Sequence, residues 1–188
     1  MADQFKVLVI CGSLRKGSYN ASLARALPAL APPELVFVAA PPFETMPHYN
    51  HDIQAAAGFP PDVETWAQAI RAADGVVVCS PEYNWSIPGP LKNAIDWVSR
   101  MKEIPFKDKP VALQSASTGQ VGGARMQYHL RMALTSIDAL IMGRPEVFVN
   151  FAAKKFDENT GELTDQPTRD VVKLQLATFA KFIRRVRE

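Results

Sequence analysis

Phe5-Lys6-Val7-Leu8-Val9-Ile10-Cys11, followed at once by Gly12-Ser13-Leu14-Arg15-Lys16-Gly17-Ser18-Tyr19-Asn20, decides the fold. The first stretch is a near-continuous apolar run, the pattern of a strand buried on both faces. The second is small, polar and basic, and it opens into a helical pattern. A buried strand that passes through such a loop into a helix is the first unit of a parallel α/β sheet.

The same alternation continues outward. Ser22 to Leu30 has helical character and stops at Pro32-Pro33. Leu35 to Ala39 reads as a second strand, and a proline-rich loop runs from Ala40 to about Pro61. Val63, Trp66, Ala67, Ile70 and Ala73 recur at helical spacing before a third strand, Gly75 to Cys79. A helix carries Leu91, Ala94, Ile95, Val98 and Met101, with Pro88 and Pro90 near its start, where proline is tolerated. Val111 to Ser115 is a fourth strand. Met126, Leu130, Ala133, Leu134, Ile137 and Leu140 mark a helix ending near Gly143. Glu146 to Asn150 is a fifth strand, and Val172 to Val186 carry the last helix. Strict alternation predicts a doubly wound, three-layer sandwich with helices on both faces of a five-stranded parallel sheet. Residues 1–188 read as a single domain, with no repeat or linker.

Composition narrows the classes. A formal charge of +2 is too small for a dedicated nucleic-acid binder. The basic residues Lys181, Arg184, Arg185 and Arg187 read as a solvated helix face. No apolar run approaches the ~20 residues a membrane helix needs. Met1-Ala2-Asp3-Gln4 lacks the basic region of a signal peptide. The two cysteines, Cys11 and Cys79, each end an apolar run and read as small buried residues in a reducing, cytoplasmic compartment.

In such sheets ligands sit beyond the carboxyl ends of the strands, near the point where strand order reverses. Three loops occupy that position. Gly12 to Asn20 places hydroxyls, an amide and the Arg15 fork at a helix N-terminus, which suits an anion. It contains neither a P-loop nor a G-x-G-x-x-G fingerprint, which argues against an NTPase and a standard dinucleotide dehydrogenase. After the third strand, Ser80-Pro81-Glu82-Tyr83-Asn84-Trp85-Ser86-Ile87-Pro88 is stiffened by proline and carries two aromatics. That suits a planar heterocycle, or equally a turn covering the core. After the fourth, Ser115 to Ala124 is small, polar and glycine-rich.

The stretches GSLRKGSYN at 12–20 and PEYNWSIPGPLKNAIDW at 81–97, with Ser117, Gly119, Gly122 and Gly123, resemble the NADPH-dependent FMN reductase family. The likeness is nearest its bacterial chromate reductase and quinone reductase branch. It implies a flavodoxin-like fold with sheet order 2-1-3-4-5. It implies that Ser13, Arg15, Ser18 and Asn20 hold the FMN phosphate, with Leu14, Lys16, Gly17 and Tyr19 in the same loop. Pro81, Glu82, Tyr83 and Asn84 are expected along the isoalloxazine ring, with Trp85 beside them and Ser117, Thr118 and Gly119 completing the pocket.

The implied chemistry is ping-pong. NADPH or NADH delivers hydride to the flavin, and a small-molecule acceptor such as a quinone takes it up. Chromate or other metal ions are possible acceptors, and no side chain is expected to be catalytic. Arg100, Lys102 and Arg125 are candidates for attracting an anionic acceptor, or plain surface residues. The resemblance also implies a homodimer or a dimer of dimers, that is, a homotetramer. Arg125, Tyr128, Arg131 and Glu146 could pair between subunits or form ordinary helix-surface charge.

Other signals read as structural. His48 and His51 lack a further ligand at metal spacing. Asp157 to Glu162 misses the calcium-loop spacing and reads as a turn. His129 reads as structural. Two rival readings stay open: a flavodoxin-type electron carrier that does not oxidise NAD(P)H, and a binding module with a degenerate flavin pocket.

Overall fold

The computed structural model describes residues 4–188. Its strands are β1 (Phe5–Cys11), β2 (Leu35–Ala39), β3 (Gly75–Cys79), β4 (Pro110–Ala116), β5 (Leu140–Ile141) and β6 (Val147–Val149). All pair in parallel, in the order β2-β1-β3-β4-β5, with β6 also on β4. The helices are α1 (Tyr19–Leu30), α2 (His51–Ala57), α3 (Pro61–Arg71), α4 (Gly89–Val98), α5 (Ala124–Thr135) and α6 (Gln166–Arg187). The 2-1-3-4-5 order is the one that the resemblance implies.

The alternation of strand side chains builds two cores. Leu8, Ile10, Val76, Val78 and Leu113 face α3, α4 and α5, with the fully buried Trp66 and Trp97 between them. Phe5, Val7, Val77, Cys79 and Ala112 face α1 and α6, where Phe179 is the largest fully buried side chain. β3 and β4 are buried at every residue; β3 is an unbroken apolar run, whereas β4 ends in the buried polar Gln114 and Ser115 before Ala116. Truncating a buried Trp or Phe here to Ala costs about 3–5 kcal/mol.

The fifth strand differs from its reading. It is broken in two: Pro110 and Val111 pair with Leu140 and Ile141, while Gln114 to Ala116 pair with Val147 to Val149. α5 therefore ends at Thr135, and Leu140 belongs to a strand rather than to the helix. Asp138 turns the chain with φ 60°, and the Ala139 N–H donates to the Leu134 carbonyl at 3.1 Å. Ile137 and Ala139 stay in the same core as the helix, so the apolar spacing runs past the helix end. Side chains satisfy two carbonyls near the break: Arg131 donates to Met142 at 3.0 Å and Gln175 to Pro145 at 2.8 Å.

Two further elements were hidden. The proline-rich stretch contains α2, capped by the Asn50 side chain accepting from the Asp52 N–H at 2.8 Å and ended by Gly58 at φ 77°. α6 begins before Val172, because Asp165 caps it through the Thr168 N–H at 3.0 Å.

Past each strand the ladder continues into the loops. The Gly12 N–H donates to the Cys79 carbonyl at 2.9 Å, Ser80 to Gln114 at 3.0 Å, and Ser117 to Val149 at 2.9 Å. The loops after β1, β3 and β4 thus leave the sheet side by side.

Candidate functional site

The loop after β1 is fixed at both ends and exposed in the middle. Gly12 packs so tightly on Ser80 that a Cβ would lie 2.3 Å from its Oγ. Leu14, Arg15, Lys16 and Gly17 are exposed, and Gly17 adopts φ 68°. Ser18 is buried and is the N-cap of α1, its Oγ accepting from the N–H groups of Asn20 at 3.2 Å and Ala21 at 3.5 Å. That arrangement leaves the Ser18 hydroxyl hydrogen, the Ser13 hydroxyl and the Arg15 guanidinium as donors at a helix N-terminus.

Asn20, which the resemblance places at the FMN phosphate, has its amide reaching across to β4. Its Nδ2 donates to the Ala116 carbonyl at 2.9 Å, and its Oδ1 accepts from the Ala116 N–H at 2.8 Å. Both groups of a strand-end peptide are satisfied by one buried side chain. Asn20 is therefore a positioning residue that locks the first loop to the third.

The loop after β3 is held by a different device. Tyr83 and Ser86 exchange backbone hydrogen bonds at 3.1 and 2.9 Å around Asn84 and Trp85. Both central residues are left-handed, with φ 48° and 67°. This is a hairpin turn that Asn tolerates and Trp does not favour; a left-handed non-glycine residue costs about 1–2 kcal/mol. Glu82 ties the loop to α5: one carboxylate oxygen accepts from the Met126 N–H at 3.2 Å and the other pairs with Arg125 at 3.2 Å. The Arg125 guanidinium lies 4.6 Å from the Trp85 ring centre, and His129 Nδ1 is 3.1 Å from the Ser86 hydroxyl.

The loop after β4 is shaped by close packing. The Ser115 hydroxyl donates to the Gly122 carbonyl at 2.6 Å and accepts from Gln127 at 2.8 Å. Gly122 and Gly123 have φ 64° and 86°, and a Cβ on Gly123 would stand 2.7 Å from Ser115 Cβ. Only glycine fits there. Ser117 Oγ accepts from the Gly119 N–H at 3.1 Å, and Thr118 is exposed beside it.

Between the second and third loops lies a cavity of about 350 Å³, lined by Glu82, Asn84, Trp85, Ser117, Gly119 and Arg125 among others. The first loop lines a separate cleft of about 530 Å³ on the β2 side, with Ser13, Leu14, Arg25 and Pro41 to Glu44 in its wall. The larger cleft lies on the β2 side of the first loop; the smaller one lies between the loops that follow β3 and β4.

The remaining candidates are placed elsewhere. Arg100 stacks on Tyr49 at 5.4 Å and lines a third cleft, between α4 and α5. Arg131 pairs with Glu146 at 3.7 Å, so this pair, like Arg125 with Glu82, forms within one chain. The second half of the 81–97 motif also has a structural task. Asn93 and Trp97 hold the loop before α2, both donating to the Pro47 carbonyl, at 3.0 and 2.7 Å. Among the described residues no three His, Cys, Asp or Glu side chains gather to hold a metal ion. Asp157 closes a turn through Asn159 and Thr160. Burial pushes the thiols of Cys11 and Cys79 upward, so neither is primed as a thiolate nucleophile.

A parallel sheet of this order, with three polar loops meeting beyond β1, β3 and β4, defines a flavodoxin-like protein. More narrowly, the chain belongs to the NADPH-dependent FMN reductase family, whose model matches residues 5–154. It is 48% identical over 187 residues to a quinone reductase of Escherichia coli (strain K12), covering 100% of both chains. It is 44% identical over 187 residues, again 100% of both, to an NAD(P)H-dependent FMN reductase of Pseudomonas aeruginosa. Among solved structures it resembles the flavoenzyme NAD(P)H:(acceptor) oxidoreductase FerB of Paracoccus denitrificans. The TM-score is 0.86 at 34% identity, covering 96% of this chain and 98% of that one.

Proposed function

We propose that the protein is an FMN-dependent NAD(P)H oxidoreductase that reduces quinones. The observation that carries the reading is the side-by-side exit of the three loops, cross-tied by Gly12 to Cys79 and by Asn20 to Ala116. The donor set fits FMN. Hydroxyls of Ser13 and Ser18 with the Arg15 guanidinium suit a phosphate at the α1 N-terminus, Leu14, Lys16, Gly17 and Tyr19 complete that loop, and the cavity beside Glu82 and Ser117 suits a flat polar-edged ring.

When bound, FMN supplies the redox chemistry, in which NAD(P)H, a proton and a quinone become NAD(P)+ and a hydroquinone. The chain's own residues bind, orient and shield. Ser13, Arg15 and Ser18 take the phosphate charge. Asn20 holds their loop at a fixed distance from β4. Pro81, Glu82, Tyr83, Asn84 and Trp85 form one border of the ring, and Ser117, Thr118 and Gly119 form the other. The backbone N–H and C=O groups of these two borders are the partners for the polar ring edge.

We read residues 1–188 as one FMN-binding unit acting as a homodimer or dimer of dimers. Tyr128 and Met132, 50% and 65% exposed on α5, are the surface available to a second copy. Two free cysteines fit a cytoplasmic setting, and no helix of the described residues is long and apolar enough to cross a membrane. Small-molecule acceptors are the partners; chromate is the weaker substrate, because Arg125 is already paired. The test is anaerobic: FMN-loaded protein is mixed with NADPH or NADH, then with a quinone. Bleaching of the flavin followed by recovery supports the reading; a flavin that only artificial reductants bleach supports the electron-carrier alternative.

A further inference from the structure

The cleft of about 530 Å³ on the β2 side has a volume within the ~300–1,000 Å³ range of small-molecule sites. Its wall is mainly apolar, built from Val9, Ala24, Ala39, Pro41, Pro42 and Phe43. It also shares Ser13 and Leu14 with the loop proposed for the FMN phosphate, so the two places adjoin.

Two charged residues line this cleft, Arg25 and Glu44, and neither forms an ion pair among the described residues. The cavity beside Ser117 differs, because its Glu82 and Arg125 are paired at 3.2 Å. Arg25 is nevertheless held in place. Its Nη2 donates to the Ser22 hydroxyl at 2.9 Å. Gly161, at φ 69°, packs on the same two side chains: a Cβ there would stand 2.8 Å from Ser22 Oγ and 3.1 Å from Arg25 Nη2. A side chain at 161 would push the guanidinium aside. The other N–H groups of Arg25 have no partner among the described residues. One Glu44 carboxylate oxygen accepts from the Phe43 N–H at 3.1 Å, which leaves the other as a free acceptor.

We propose that this cleft takes the adenosine 2′-phosphate end of NADPH, with Arg25 on the phosphate. The inference rests on the oxidoreductase reading above and names the coenzyme it prefers. A phosphate dianion meets a fixed guanidinium fork whose charge nothing else neutralises. The purine lies on the apolar wall, and its amino group finds the free Glu44 oxygen as acceptor. A bare anion brings no donor for that carboxylate, so the lining favours a nucleotide over an inorganic ion. NADH lacks the 2′-phosphate and leaves Arg25 without a partner.

The test has a binding arm and a rate arm. Calorimetry on the oxidised, FMN-loaded protein compares adenosine 2′,5′-bisphosphate with adenosine 5′-monophosphate, which lacks the 2′-phosphate. The bisphosphate should bind about tenfold tighter. Arg25→Gln should bring the two close to parity. Ala24→Trp, which fills the cleft and leaves Arg25 in place, should weaken both. In the rate arm, the flavin is bleached anaerobically by subsaturating NADPH or NADH. Arg25→Gln should lower the NADPH-to-NADH rate ratio about tenfold, and Arg25→Lys, which keeps the charge, should restore part of it. Equal binding of the two adenylates by the parent, or an unchanged rate ratio in Arg25→Gln, would overturn the inference. Failure of both nicotinamides to bleach the flavin would instead overturn the oxidoreductase reading, and the calorimetry would still report on Arg25.

Discussion

The loops after β1 and β3 begin as neighbours, joined where the Gly12 N–H meets the Cys79 carbonyl, yet they are built on opposite plans. The first is anchored by buried polar side chains of its own, Ser18 and Asn20, and leaves its middle exposed. The second carries little internal anchoring beyond one turn. It depends on Glu82 reaching α5, on Arg125 reaching back over Trp85, and on His129 meeting Ser86. The difference separates two tasks. Under the proposed function the first loop would hold a phosphate by local capping geometry, which tolerates little variation. The second would border a ring with a wall assembled from distant elements, which can be altered without dismantling the sheet.

The contrast can be broken most forcefully at Asn20. Asn20→Ala leaves the Ala116 N–H and carbonyl unpaired in a buried place, at about 1–3 kcal/mol for each group. The unfolding free energy from urea titration should fall by about 3 kcal/mol, and FMN affinity should weaken with it. A variant as stable as the parent would show that the first loop does not depend on its link to β4. Ser18→Ala removes the α1 cap together with a proposed phosphate donor and should cost about 1 kcal/mol of stability, with Ser18→Thr recovering most of it.

In the second loop the sign reverses. Asn84→Gly relieves a left-handed residue and should raise stability by under about 1 kcal/mol, because that turn is strained where the first loop is capped. A loss there would mean that the Asn84 side chain anchors the loop after all. The smallest effect lies in neither loop. Hydrogen bonds from the Thr168 hydroxyl and N–H, opposed by slight desolvation and aided by Lys155, hold the Asp165 carboxyl below its usual range. A depressed folded value favours the charged form, so its contribution is complete above the ordinary carboxylate pKa of about 3.9 and disappears as pH falls through the lower value. Asp165→Asn should therefore lose a small part of the parent's stability at neutral pH, converge with it in acid, and leave FMN affinity untouched.

Legibility in the sequence follows the same division. β1, β3 and β4 could be read because burial on both faces leaves mostly apolar runs, interrupted only at Lys6 in β1 and at Gln114 and Ser115 in β4. The first loop could be read because its capping Ser18, its Arg15 and its glycines lie within nine consecutive residues, 12–20. The broken fifth strand could not, since Ile137 and Leu140 keep helical spacing although the chain has already turned at Asp138. Nor could the role of Asn20, whose partner Ala116 is 96 residues away. The Glu82, Arg125 and Trp85 arrangement also joins residues 43 apart, and its one local sign is an Asn-Trp pair at a tight turn.

The account turns on whether the three loops hold a flavin that a nicotinamide can reduce. The direct measurement is anaerobic stopped-flow of the FMN-loaded protein against NADPH and NADH, followed by a neutral quinone. The account predicts rapid bleaching by at least one nicotinamide and full recovery on adding the quinone. A protein that takes up no FMN, or whose bound FMN stays oxidised with both nicotinamides, would contradict it.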